Sequence, residues 1–135
     1  MIIRPARSED RPAVRDLSGR LGLDYPDMEG DRFWVAAEDS RILGLVGLKD
    51  RGDCLELVGL GVAPEARSAG LGAGLIEALF AAAEADVWLA TLIPGFFARS
   101  GFRPAEASPA GMIKDPAWCE GCPRTGCTVM VRRRT

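Results

Sequence analysis

The sequence predicts an α/β protein whose central sheet is mixed, mainly antiparallel and flanked by helices, in one domain spanning residues 1–135. The first observation is a set of three β-prone stretches separated by polar turns, which indicates antiparallel pairing. These stretches are residues 33–38, 42–49 and 54–62. The second observation is an apolar helical stretch, 71–85, followed by an apolar strand, 87–92. That order is typical of a strand–helix–strand unit, so some parallel pairing is expected as well.

The composition is that of an ordinary globular protein, with 47% hydrophobic and 27% charged residues. The net charge is −2 and no basic stripe is present, so a nucleic-acid partner is not expected. No apolar run approaches the ~18 residues of a membrane span, and the N-terminus does not resemble a signal peptide, so the predicted location is the cytoplasm. The chain contains no histidine, which excludes imidazole as a base or a metal ligand.

The N-terminal part of the chain predicts one strand and one amphipathic helix. A short apolar strand ends near Pro5, and apolar residues at helical spacing place a helix over residues 9–21. Ser8 is expected to cap the start of this helix, and Gly22 is expected to end it. Residues 23–31 are acidic and predicted to be irregular.

The C-terminal part predicts a short helix that begins at Pro94 and ends at Gly101. Residues 128–132 are β-prone and are expected to form a last edge strand.

A glycine-rich segment joins the third strand to the second helix. Gly59 and Gly61 interrupt an apolar strand, which marks a bulge or a place where another backbone or a ligand comes close, and Pro64 ends the strand. Gly70 and Gly72 then lead directly into the helix. Backbone N–H groups at such a turn, together with the unpaired donors and positive dipole end of a helix, suit a pyrophosphate.

Two other phosphate-binding patterns do not fit this segment. A P-loop requires Gly-Lys-Ser/Thr, whereas Ala73 and Gly74 occupy the corresponding positions. A dinucleotide fingerprint requires a third glycine, for which Gly74 is misplaced, and an acidic residue ~20 positions further along.

The segment resembles a known family motif. Arg67, Gly70 and Gly72 match the R/Q-x-x-G-x-G/A loop with which the GNAT superfamily of N-acetyltransferases holds acetyl-CoA. The strand before it has the Val-x-Pro ending at Val62, and residues 96–102 resemble the family's F-Y-x-x-x-G-F motif. The resemblance covers nearly the whole chain, and it implies the GNAT fold.

The resemblance also implies the co-substrate and the reaction. Acetyl-CoA is the expected co-substrate, and a primary amine of a small molecule or amino acid is the expected acceptor. The pyrophosphate is expected on the backbone N–H groups of the loop, and the pantetheine arm is expected to pair with the strand like an added strand. The residues expected at the cofactor are Leu60, Gly61, Val62, Arg67, Ser68, Ala69, Gly70, Leu71, Gly72, Ala73 and Phe97. The alternative is that these glycines only permit a bulge or tight packing of helix against strand.

Glu56 is the candidate catalytic base. It is a charged residue within an otherwise apolar strand and directly precedes the glycine pair. A carboxylate buried there would suit a general base that deprotonates the amine, and a similar strand is found in amino-acid N-acetyltransferases of this superfamily. The alternative is a solvated residue on the strand.

A general acid is harder to assign. Many family members have Tyr where this chain has Phe97, and the single tyrosine, Tyr25, is far away in sequence. Phe97 is therefore expected to pack against the cofactor arm. Tyr25, Trp34 and the acidic residues 24–31 are expected to wall the acceptor pocket and to suit a cationic amine, unless this stretch is simply a solvated loop.

Three cysteines are compactly spaced near the C-terminus, at Cys119, Cys122 and Cys127, with Cys54 remote from them. They are candidate ligands for a structural zinc ion; iron–sulfur ligation, reduced thiols, a redox pair and an acetyl-accepting thiol are the alternatives. The tail resembles that of small GNAT proteins linked to arsenic resistance or amino-acid acetylation.

Three functional hypotheses follow. The first is an N-acetyltransferase, the second a non-catalytic acyl-CoA-binding protein, and the third a metal or redox module that uses the cysteines. The partners expected are acetyl-CoA and a small amine, without nucleic acid or membrane, and a homodimer is a further expectation because this fold often dimerises.

Overall fold

The computed structural model describes residues 1–25, 27–67, 70–112 and 127–134. Its strands are β1 (Ile2–Pro5), β2 (Arg32–Glu38), β3 (Arg41–Asp50), β4 (Leu55–Val62), β5 (Val87–Thr91), β6 (Arg103–Pro104) and β7 (Thr128–Arg132). Its α-helices are α1 (Arg11–Leu21), α2 (Leu71–Ala82) and α3 (Pro94–Ala98). Short 3₁₀ helices occupy Ser8–Asp10, Met28–Gly30, Pro64–Ala66 and Ala110–Met112.

The seven strands of the described residues hydrogen-bond in the order β1-β2-β3-β4-β5-β7-β6. Pairing is antiparallel except for the parallel pair of β4 and β5, so the predicted mixed, mainly antiparallel sheet with flanking helices is confirmed. Contacts divide the chain into two compact units. Unit 1 comprises Met1–Lys49 and Leu57–Ala82, and unit 2 comprises Asp50–Glu56 and Ala83–Thr135.

In unit 1, β1 pairs with β2 and β2 pairs with β3, with one irregularity between Ala36 and Ala37. Helix α2 packs against β1 and β2. The centre of this unit is apolar, because several aliphatic side chains of α2 and of the inner strands are almost fully buried. They are Val35, Leu45, Val46, Leu75, Ile76 and Leu79.

The start of α1 differs from the prediction. The helix begins at Arg11, after a 3₁₀ turn, and Ser8 does not cap it. Instead the carboxylate of Asp10 accepts the backbone N–H of Arg7 at 2.7 Å and both terminal nitrogens of Arg4, at 2.7 and 3.1 Å. The hydrogen bond from Arg4 is the main reason why the pKa of Asp10 falls to about 2. A carboxylate that also forms a bidentate ion pair binds these donors better than a serine hydroxyl would. Gly22 ends the helix as predicted.

In unit 2, β5 pairs in parallel with β4 at Leu55 with Val87 and at Glu56 with Trp88. The prediction that residues 128–132 form an edge strand is wrong. Strand β7 lies between β5 and β6, because the two-residue strand Arg103–Pro104 pairs with its outer side. Such a short strand, half of it proline, gives no recognisable pattern in the sequence.

Within the described residues, no helix has both the length and the apolar character that crossing a membrane requires.

Candidate active site

The junction of β4 and α2 in unit 1 is built as an anion site would be. The chain leaves β4 at Val62 and makes the 3₁₀ turn Pro64–Ala66. The backbone N–H of Arg67 donates to Pro64 at 3.4 Å and its Nε donates to the Val62 carbonyl at 3.1 Å. Arg67 therefore secures the turn with both its backbone and its side chain. Ser68 and Ala69, which were predicted to contact the cofactor, lie outside the described residues.

Gly70 turns the chain into α2 with a φ of +72°, in the left-handed region that favours glycine. It is exposed, and no heavy atom lies within 4 Å of where a Cβ would be. A helical hydrogen bond runs from the Gly74 N–H to the Gly70 carbonyl at 3.1 Å. The N–H groups of Leu71, Gly72 and Ala73 precede this bond and form the donor end of the 12-residue helix.

The two glycines of β4 have different surroundings. Gly59 has a φ of +59°, which interrupts the extended backbone, and a Cβ there would lie 3.6 Å from the Tyr25 ring. Gly61 faces Leu21 and Leu23, and a Cβ would overlap the ends of both side chains. The packing alternative therefore accounts for Gly61. Leu60 and Val62 are half-buried, and the predicted contact of this strand with a pantetheine arm stays a prediction.

A polar cluster lies beside Gly59 that the sequence did not indicate. The Tyr25 hydroxyl donates to the Asp31 carboxylate, and Lys49 Nζ contacts the same carboxylate at 3.1 Å. The ammonium also lies 5.2 Å from the centroid of the Tyr25 ring. The side chains of Asp31 and Lys49 are only 7% and 15% exposed, so the cluster is largely shielded from water. The one available signal was Lys49, a lysine that directly follows the apolar middle of β3.

Glu56 in unit 2 is buried, with 3% of its surface exposed, so the solvated alternative is wrong. Its Oε1 accepts the Arg51 Nε at 2.9 Å. Arg51 belongs to the turn after β3, where its N–H donates to the Cys54 carbonyl and the Asp50 carboxylate accepts the N–H of Gly52. The turn thus presents a guanidinium to the buried carboxylate and offsets its loss of hydration.

Comparison with known proteins identifies the family. A family model described as an acetyltransferase (GNAT) domain matches residues 29–104, more than half of the chain. The chain belongs to the GNAT acetyltransferase family. Among curated proteins, none matches the sequence.

Solved structures share the GNAT fold of this chain. The N-acetylglutamate synthase of Neisseria gonorrhoeae, complexed with coenzyme A and N-acetyl-glutamate, has a TM-score of 0.78 and 24% identity over 98% of this chain, which spans only 35% of the synthase. Rv2747 of Mycobacterium tuberculosis, in complex with CoA, has a TM-score of 0.77 and 21% identity, with 100% of both chains covered. A GNAT acetyltransferase of Staphylococcus aureus Mu50 has a TM-score of 0.74 and 16% identity, covering 98% of this chain and 99% of that one.

Residues 96–102, which resemble the GNAT motif, form the last part of α3 and the turn after it. Phe97 is 6% exposed and makes edge-to-face contacts with Phe96 and Phe102, at centroid distances of 5.1 and 5.9 Å. It is a packing residue of unit 2, and its ring has no proton to give to a leaving thiolate.

The cysteines provide no support for zinc. Cys119 and Cys122 lie outside the described residues, and Cys127 is exposed just before β7. Among the described residues, no group of three His, Cys, Asp or Glu side chains is placed to hold a metal ion. Burial, and then a hydrogen bond with Asp53, raise the pKa of Cys54 to about 11. That shift opposes the thiolate form that a ligand or a nucleophile needs.

Unit 1 also contains a cavity of about 310 Å³ beside the predicted acceptor wall. Asp31 and Trp34, which were predicted to wall the acceptor pocket, line this cavity together with Met28 and Glu29 of the same stretch, whereas Tyr25 does not line it. Four arginines line the cavity as well. They are Arg7, Arg11, Arg15 and Arg32.

Proposed function

We propose that this GNAT chain is an N-acetyltransferase that moves the acetyl group of acetyl-CoA to the primary amine of a small molecule or amino acid. The junction of β4 and α2 carries the proposal. It joins a strand interrupted at Gly59 to a helix whose N-terminal donors follow the positive-φ Gly70. This is the arrangement that a pyrophosphate requires, and it lies within the part of the chain that the GNAT model matches.

The described loop residues fit CoA in this proposal. The N–H groups of Leu71, Gly72 and Ala73 are directed to the pyrophosphate, and Gly70 leaves open space where a side chain would intrude. The pantetheine arm runs along the half-buried Leu60 and Val62 of β4. Coenzyme A in the Neisseria and Mycobacterium structures supports this assignment of the donor. N-acetyl-glutamate in the Neisseria complex supports an amino acid as the acceptor.

The reaction that follows is a direct transfer. The acceptor nitrogen attacks the thioester carbonyl, the C–S bond breaks, and the CoA thiolate leaves. Glu56, held by Arg51, takes a proton from the amine and then releases it to solvent, and the thiolate takes a proton from solvent. The products are the amide and free CoA thiol. The transfer needs no oxidant or further co-reactant.

Calorimetric binding of acetyl-CoA to three proteins tests the donor site. Wild type is expected to bind. Gly70→Glu should lose at least tenfold in affinity, because a carboxylate repels the pyrophosphate and blocks the loop. Gly22→Glu is the matched control, since Gly22 is also exposed, has a φ of +69° and has no heavy atom within 4 Å of a Cβ. Equal affinity in the two variants would contradict the assignment.

Turnover is then measured as release of free CoA thiol with a panel of amines. Release that depends on the amine supports an enzyme. Binding of acetyl-CoA without release for any amine would favour the non-catalytic acyl-CoA-binding alternative. The homodimer stays a prediction, which size-exclusion chromatography of the same samples can test.

A further inference from the structure

We infer that Tyr25 is a positioning residue for the arm of acyl-CoA, because its ring packs against the bend of β4 at Gly59 while Asp31 and Lys49 hold that ring in place. The inference rests on the proposed function for the identity of the ligand. The contacts that carry it are independent of that function, and all four residues belong to unit 1.

Gly59 is the point of β4 that most needs support. Its φ of +59° lies outside the extended range of a strand, and a glycine can leave such a conformation easily because it has no Cβ. Among the described residues, only Tyr25 and Leu45 have an atom within 4 Å of the position of a Gly59 Cβ, at 3.6 and 3.9 Å, chain neighbours aside. Leu45 belongs to β3, so Tyr25 is the contact that comes from outside the sheet.

The Tyr25 ring is itself held from two directions. Its hydroxyl donates to the Asp31 carboxylate, and Lys49 Nζ lies 3.1 and 3.2 Å from the two oxygens of that carboxylate. The same ammonium lies 5.2 Å from the ring centroid. Asp31 is fixed in turn, since its N–H donates to the Met28 carbonyl at 3.1 Å. Because Asp31 and Lys49 are shielded from water, these electrostatic contacts are strong enough to orient a ring carried by an irregular segment.

The direction of β4 places Gly59 at the reacting end of the proposed arm. The pyrophosphate site is at the start of α2, which follows Val62 along the chain. An arm that begins there and runs back along Val62 and Leu60 reaches Gly59 last. Pairing of this kind uses backbone groups, so a bend that shifts would misalign the thioester and weaken binding of the arm. The pyrophosphate site would not be affected.

Calorimetric binding of two ligands to the whole chain tests the inference. Acetyl-CoA has both halves of the cofactor, whereas 3′-phospho-ADP has the pyrophosphate but no pantetheine arm. Tyr25→Leu should lower the affinity for acetyl-CoA at least about fivefold and change that for 3′-phospho-ADP by less than about twofold, because only the arm depends on the bend. Tyr25→Phe keeps the ring and should bind acetyl-CoA more tightly than Tyr25→Leu.

Phe33→Leu is the matched control. Phe33 is a half-buried aromatic residue that packs against the same core residues as Tyr25, namely Val14, Met28 and Val35, but it does not approach Gly59. Its substitution should leave both affinities unchanged. Equal loss for the two ligands, or the same loss in Phe33→Leu as in Tyr25→Leu, would indicate a general weakening of unit 1 and overturn the inference. Tyr25→Leu that binds acetyl-CoA as tightly as wild type would overturn it and leave the proposed function standing, whereas a wild type that does not bind acetyl-CoA would sink both.

Discussion

Strand β4 has two chemically different halves. At its start, Leu55, Glu56 and Leu57 are all buried and one of them is charged. From Gly59 to its end, the strand is half-buried and contains two glycines and no charged residue. The first half contributes the Glu56 side chain, which is paired with Arg51, whereas the second half contributes backbone groups. The two halves should therefore fail in different ways when they are mutated.

The largest expected effect is on the first half. Glu56→Gln keeps the shape of the side chain but removes the proton acceptor, so kcat should fall by about 10²–10⁴, the usual contribution of a general base. Affinity for acetyl-CoA should not change, because the proposed donor site is backbone. Steady-state release of CoA thiol with the best amine measures the first quantity and calorimetry the second.

Glu38→Gln is the matched control for this change. Glu38 is a strand glutamate at the exposed end of β2, so its substitution should leave turnover unchanged. If Glu56→Gln turned over as fast as Glu38→Gln, Glu56 would not be the base.

The second effect concerns Arg51, the ion-pair partner of Glu56. Arg51→Ala should lower the free energy of unfolding by about 1–3 kcal/mol, because it leaves the 4%-exposed Glu56 side chain without its cation. Arg41→Ala is the control, since Arg41 also contacts a glutamate, Glu65, at 2.9 Å, but with both side chains exposed. It should cost less than about 1 kcal/mol. Urea unfolding of the two variants measures the difference, and equal costs would show that burial adds nothing to the Arg51–Glu56 pair.

The third effect tests the glycine half. Gly61→Ala should cost about 1–3 kcal/mol of stability, because the new methyl group meets Leu21 and Leu23 and one of them must move. Gly30→Ala has open space at the new methyl and should be close to neutral. Thermal unfolding compares them. A neutral Gly61→Ala would mean that the two leucines move aside easily, and the packing explanation for this glycine would be lost.

The contrast also shows what could be predicted from the sequence. Strand and helix positions follow from hydrophobic periodicity and from turn residues such as Gly22 and Pro64, which act locally. The glycine loop is predictable for the same reason, since glycine readily adopts the positive φ that Gly70 has at this turn. The sequence left open whether Glu56 is buried or solvated, and the structure shows it buried with Arg51 as its partner.

What could not be predicted depends on contacts between distant residues. Tyr25 is remote from Gly59 in sequence yet lies against it, and Asp31 meets Lys49 only because β2 and β3 pair. The charge of the cavity is another example. The acidic stretch suggested a negative wall, but Glu29 pairs with Arg15 of α1 and Asp31 pairs with Lys49 of β3. The cap of α1 was misassigned because Arg4, which fixes Asp10, comes from the preceding strand.

The last prediction concerns Cys54, next to the buried half of β4. Because burial raises its pKa to about 11 from the ordinary 9.0, its thiolate fraction at pH 8 should be about a hundredfold lower than that of an unperturbed thiol. In a Cys119→Ser, Cys122→Ser protein, iodoacetamide should modify the exposed Cys127 first and Cys54 far more slowly, as followed by intact mass. The rate at Cys54 should keep rising with pH up to about 11, provided the protein stays folded there. Modification of both thiols at equal rates at pH 8 would mean that the start of β4 is open to water, and it would remove the physical basis for treating Glu56 as a buried base.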